Sequence, residues 1–199
     1  DAKFVMYGQV HGWAGTDHND WKRTLPAAEV ARRAISKATM SRRPTSLEAG
    51  RYTVVLEPQA VANILRLLTW SMDARSADEG RTFFSRRGGG NRLGEQIVDP
   101  RVTIVSDPSD PDLLESPYSD EGEAIARTVW IEQGVVRNLA YSRFWAERQD
   151  MAPRPMGGGT RMLGTEATLD ELIAQVDRGL LVTRFWYIRG VDPRTILHT

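Results

Sequence analysis

The chain has 199 residues, 41% of them hydrophobic and 26% charged, which is enough for one substantial core or for one domain with part of another. Basic and acidic residues balance at 26 each, so no net charge argues for a nucleic-acid partner. Cysteine is absent, which excludes disulfides, thiolate nucleophiles and cysteine metal ligands, and no apolar run approaches the ~20 residues of a membrane helix. With no signal peptide in view, the expected setting is the cytoplasm, with no membrane partner. The start on Asp1 and the abrupt stop at Thr199 read as a piece of a longer chain.

Lys3 to Val10 reads as a strand, and His11 to Trp21, rich in Gly, Asp and Trp, as a loop. Pro26 to Thr39 is a helix with a small-residue face of Ala27, Val30, Ala31, Ala34, Ile35 and Ala38, suited to close packing. Tyr52 to Leu56 is a strand that runs into a helix opened by Pro58, whose missing N–H costs nothing there. Val61, Ile64, Leu65, Leu68 and Met72 recur at helical spacing, and Leu67 widens that face, so this helix is expected to be well buried. Ala74 to Gly94, with its arginines and glycines, reads as a mobile loop. Gln96 to Val98 and Val102 to Val105 read as short strands, and Ser106 to Ser119 as a proline-rich acidic loop. Thr128 to Ile131 and Val135 to Tyr141 form a hairpin turning at Gly134. Arg143 to Gln149 is a short helix, and Met151 to Thr160 a second Gly/Pro loop.

Thr168 and Glu171 make a capping box. Leu169, Leu172, Ile173 and Val176 are the expected inward face of that helix, and Gly179 its stop. Leu180 to Ile188 is a strong strand. Strands and helices do not alternate regularly, which points to α+β with a largely antiparallel mixed sheet and a few packed helices.

Few residue patterns carry chemistry. His11, Asp17 and His18 share one loop but match no ligand spacing, so polar loop residues are the preferred reading over a metal site. Gly88, Gly89 and Gly90 lie among arginines but lack the Gly-Lys-Ser/Thr ending of a phosphate loop. They read as a solvated loop, as do Gly157, Gly158 and Gly159. The two glycine loops are also candidates to flank a groove for extended peptide, because glycine lets backbones approach closely. Asp120 and Glu121 are neighbours in a turn, unsuited to the split environments of an acid/base pair. Trp130, Trp145 and Trp186 read as core or interface residues. No Ser-His-Asp or Cys-His set can be assembled.

From Gly50 onward a series of phrases stands in a telling order. They are Gly50 to Pro58, Leu93 to Ile104, Asp120 to Gly122, Ile131 to Val136, and Leu169 to Ile173 leading to Arg178 to Val182. Together they resemble the C-terminal half of the TldD/TldE (PmbA) family, once called modulators of DNA gyrase and regarded as metallopeptidases. On this resemblance residues 1–49 are the end of the family's N-terminal domain with its connecting helix. Residues 50–199 are a TldD/PmbA-like C-terminal domain, cut short at its end. In the catalytic branch of the family the helix after the Val-Val-Leu strand carries a His-Glu-x-x-x-His zinc motif. Its positions fall here on Arg66, Leu67 and Ser71. Arginine cannot ligate a cation, leucine supplies no base and a lone serine is a poor zinc ligand. Ser119 is a further departure, where relatives often have Asp.

The resemblance is therefore closest to the metal-free TldE/PmbA branch. It implies a subunit with no cofactor of its own, zinc being expected only in a catalytic TldD-like partner, and a role in binding extended peptide rather than hydrolysing it alone. The alternatives are a stand-alone, self-associating binding or regulatory module, and an enzyme using His11, Asp17 and His18. Nothing in the residues supports direct action on gyrase.

Overall fold

A computed structural model describes residues 12–18 and 20–194, with the backbone of 197–198. The strand expected at Lys3 to Val10, and His11, lie outside these residues. In chain order the elements are a 3-10 turn (Trp21–Arg23), α1 (Ala27–Met40), β1 (Val54–Leu56), α2 (Pro58–Trp70), α3 (Ala74–Asp78), β2 (Thr103–Ser106), β3 (Thr128–Glu132), β4 (Val135–Val136), α4 (Arg143–Arg148), β5 (Arg161–Leu163), α5 (Leu169–Ala174), β6 (Leu180–Val182), β7 (Gly190–Asp192) and β8 (Leu197–His198).

The central element is a four-stranded antiparallel sheet in the order β4-β3-β2-β5. Its tightest feature is the β3–β4 turn, where Gln133 (φ 48°) and Gly134 (φ 80°) are both left-handed, as a two-residue hairpin requires to match strand twist. Gly134 is needed twice over, because a Cβ there would lie 2.3 Å from the Val98 carbonyl oxygen. Residues 95–102 fold across this hairpin, with Ile97 N donating to Gly134 O and Gly134 N donating to Val102 O. That crossing uses their backbone groups, so the strand expected at Gln96 to Val98 is reduced to a single bridge between Gln96 and Val135.

The core lies between this sheet and α2, α3 and α4. Trp130, Ile131, Val136 and Leu139 meet Leu65 and Met72, with Ala74, Ala77, Phe84, Tyr141 and Ala146 closing the cluster. Trp130 Nε1 donates to Ser106 Oγ at 2.9 Å, both residues fully buried, which satisfies the indole inside the core. On α2 the buried positions are Ala60, Leu65 and Thr69, while Ile64, expected inward, is 44% exposed. The helix is thus buried along one stripe rather than all round.

Several boundaries differ from the sequence reading. The expected loop from Ala74 contains α3, which starts because the Asp73 carboxylate accepts from Ser76 N at 2.7 Å. The second hairpin strand ends at Val136, well short of Tyr141. The segment after the second glycine loop forms β5, pairing with β2. The Thr168–Glu171 capping box is formed, but α5 ends at Ala174 and its Leu172 and Ile173 are about two-fifths exposed rather than inward.

Gly179 does not stop that helix. It lets β6 lie against β1 in a parallel pair, since a Cβ there would be 2.7 Å from Thr53 O. The strand expected to reach Ile188 ends at Val182, beyond which Phe185 N donates to Asn63 Oδ1 and Tyr187 takes a positive φ of 55°. The small-residue face of α1 does take a close neighbour: at Gly12 a Cβ would lie 1.8 Å from Ala34 O. Among the described residues no helix is long and apolar enough to cross a membrane.

Candidate functional site

α2, the loop after β2 and the second glycine loop enclose a cavity of about 790 Å³. From α2 it takes Leu65, Arg66, Thr69 and Trp70; from the loop after β2, Asp112 to Leu114; and from the glycine loop, Met156 to Thr160. A second cavity of about 460 Å³ shares Asp73, Ala140, Met156, Gly157 and Gly158 with it and continues past Glu115 to Asp120 and Glu121. The two make one groove with the glycine loop at its middle. The lining ends at Thr160, after which the chain enters β5, an edge strand of the sheet.

The glycine loop is held by a carboxylate from 43 residues away. Gly158 N donates to Glu115 Oε1 at 3.0 Å, and Gly159 N donates to Glu115 Oε2 at 2.8 Å. A Cβ on Gly157 would lie 2.0 to 2.2 Å from the same carboxyl group. Only a bare backbone admits that approach.

Next to this contact Asp112 gathers cations. Its Oδ1 lies 3.3 Å from His18 Nε2 and 2.5 Å from an Arg23 guanidinium nitrogen, and its Oδ2 lies 3.5 Å from Arg161, which also pairs with Asp110 at 2.8 Å. The Asp20 N–H donates to His18 Nδ1 at 2.8 Å, which places the ring proton on Nε2, facing Asp112. The hydrogen bond from His18, with the charges of Arg23 and Arg161, holds the Asp112 carboxyl below its ordinary range. This network pins the loop after β2 to both the N-terminal segment and β5. It also occupies the side of His18 that a metal would need. Among the described residues no group of three His, Cys, Asp or Glu side chains is placed to hold a metal.

The zinc-motif positions do not fit a metal either. Arg66 faces the cavity, with its guanidinium 5.1 Å from the Trp70 ring centroid. Leu67 is half-buried and outside the cavity lining, and Ser71 Oγ donates to Leu67 O at 3.0 Å as the C-cap residue of α2. A fixed cation at 66 also repels a second one.

The other candidates separate. Gly157, Gly158 and Gly159 lie at the groove. Gly88, Gly89 and Gly90 do not line it; they form an exposed tip with φ of 97°, 110° and 75°, closed by Arg86 N donating to Gly90 O. The two glycine loops therefore do not flank one groove. Glu121 accepts from Arg143 N at 2.9 Å at the start of α4, and Asp120 lies in the groove wall. Trp130 is core, Trp145 is half-buried with Nε1 donating to Asp78 at 2.8 Å, and Trp186 is 62% exposed beside Arg184. Glu115 and Asp112 escaped the sequence reading because their partners are tens of residues distant, and no local pattern marks them.

Residues 49–198 match the sequence profile of the PmbA/TldA metallopeptidase C-terminal domain. A metalloprotease of Methanothermobacter thermautotrophicus is 25% identical over 177 residues, covering 81% of this chain and 36% of its own. An uncharacterised protein of Methanocaldococcus jannaschii is 30% identical over 148 residues, covering 73% and 33%. Among solved structures, a candidate modulator of DNA gyrase from Bacteroides thetaiotaomicron superposes with a TM-score of 0.75 at 21% identity, covering 88% of this chain. A similar protein from Thermotoga maritima gives 0.72 at 23%, covering 83%, and TldE from Thermococcus kodakarensis 0.67 at 20%, covering 82%. The chain spans 39% of each of these three structures, little more than a third of their length. The fold is theirs, and on the match across residues 49–198 the chain belongs to the PmbA/TldD family of metallopeptidases.

Proposed function

We propose that this chain is a metal-free, TldE/PmbA-like subunit of a two-component metallopeptidase, acting in the cytoplasm. It binds extended peptide and a TldD-like catalytic partner and does not hydrolyse peptide alone. The observation that carries this reading is the chemistry at the motif positions. Arg66, Leu67 and Ser71 offer neither two metal ligands nor a base, and only Arg66 faces the cavity. A groove that ends where an edge strand begins suits an extended, sequence-tolerant ligand, because backbone pairing ignores side chains.

One feature fits a partner. A parallel pair is normally covered on both faces, yet Val54 and Leu181 of the β1–β6 pair are 49% and 43% exposed. The test is capture of the full-length protein from its native extract, with mass spectrometry of what accompanies it. A stoichiometric partner carrying His-Glu-x-x-x-His is the expected result. Recovery of the bait alone points to the self-associating module instead. Peptidase activity of the isolated chain that is lost on chelation overturns the metal-free reading.

A further inference from the structure

We propose that the Gly157–Gly159 backbone and Arg66 form a subsite for the C-terminal carboxylate of a bound peptide, and that Glu115 fills it in the free chain. The inference rests on the peptide-binding reading above and names the group by which peptide is anchored. Two successive N–H groups, of Gly158 and Gly159, each hold one oxygen of a single carboxylate at 3.0 and 2.8 Å. Backbone nests capture terminal carboxylates in this way. The seat is shaped for the group, since a side chain on Gly157 would overlap it.

Glu115 is a weakly committed occupant. Beyond the two glycine N–H groups, its carboxylate accepts only from the adjacent Ser116 N, at 3.1 Å, and it has no ion pair among the described residues. A cation without a carboxylate lines the same cavity as the glycine loop. Among the described residues Arg66 is the one basic side chain lining the larger cavity, is held against Trp70, and likewise has no ion pair. A ligand carboxylate entering from that cavity inherits the two N–H bonds and adds the attraction of Arg66. Charge-assisted bonds of that kind are roughly twice as strong as neutral ones. Displacing Glu115 lowers the apparent affinity by the fraction of time the seat is taken.

The test uses the full chain and one labelled, unstructured peptide made in three forms: free acid, C-terminal amide, and amide with Glu as its last residue. Binding is read by fluorescence anisotropy at neutral pH and low salt. The acid is expected to bind about tenfold more tightly than either amide. Arg66→Gln, at an exposed position, should bring the acid to within about twofold of the amide measured on the same variant. Glu115→Ala, which empties the seat, should tighten the acid several-fold and not the amide. Equal binding of acid and amide by both the natural chain and Glu115→Ala overturns the subsite and leaves peptide binding standing. So does an acid preference that survives Arg66→Gln, or a Glu-ended amide that binds like the acid. Failure of all three peptides to bind overturns the subsite together with the peptide-binding reading.

Discussion

The loop that carries Asp112 and Glu115 leaves the sheet directly after Ser106, and Ser106 is fixed by the Trp130 indole at 2.9 Å. Trp130→Phe keeps an aromatic ring in the core but removes that donor, leaving the fully buried Ser106 hydroxyl without it. Leaving a buried polar group unmet costs about 1–3 kcal/mol, and the space vacated by the smaller ring adds to it. For a chain of this size that lowers Tm by about 2–4 °C for each kcal/mol. Ser106→Ala alone strands the indole N–H in the same way. The double variant strands neither group, so it should be less destabilised than the sum of the singles by about 1 kcal/mol or more. Urea unfolding of the four proteins measures this coupling. A coupling indistinguishable from zero would refute the claim that this bond anchors the root of the groove loop.

Gly134→Ala should destabilise by several kcal/mol or prevent folding, because its φ of 80° is strained for alanine and the methyl meets Val98 O at 2.3 Å; circular dichroism melts report it. Asp112, held below its ordinary value of 3.8, stabilises the fold above that pH and loses its contribution as the pH falls through the lowered value. The Tm deficit of Asp112→Asn at pH 7 should therefore close in acid, and a deficit that stays constant to pH 2 would contradict the pairing. Excess zinc should leave Tm unmoved, since a ligand shifts stability only when it binds the folded state; a rise reversed by chelation would reveal a metal site. Gly157→Ala should push the Glu115 carboxyl out and block the seat to ligand as well, abolishing the acid preference in the peptide assay.

Local signals settled much of this protein. Pro58 opens α2, Thr168 and Glu171 cap α5, and Gly134 turns the β3–β4 hairpin, each through contacts within a few residues. The identities of residues 66, 67 and 71, on which the metal-free proposal rests, likewise stand in the sequence itself. Tertiary structure decided what depends on distant partners. It made Gly179 a site of close approach instead of a helix stop, because Thr53 lies against it. It turned Leu172 and Ile173, an amphipathic face by period, toward solvent, because periodicity marks an apolar face and not what covers it. It set Gly157–Gly159 at a groove and Gly88–Gly90 away from it, although their compositions are alike. And it seated Glu115 on the glycine loop across 43 residues of chain, a contact that long-range packing creates and no sequence window contains.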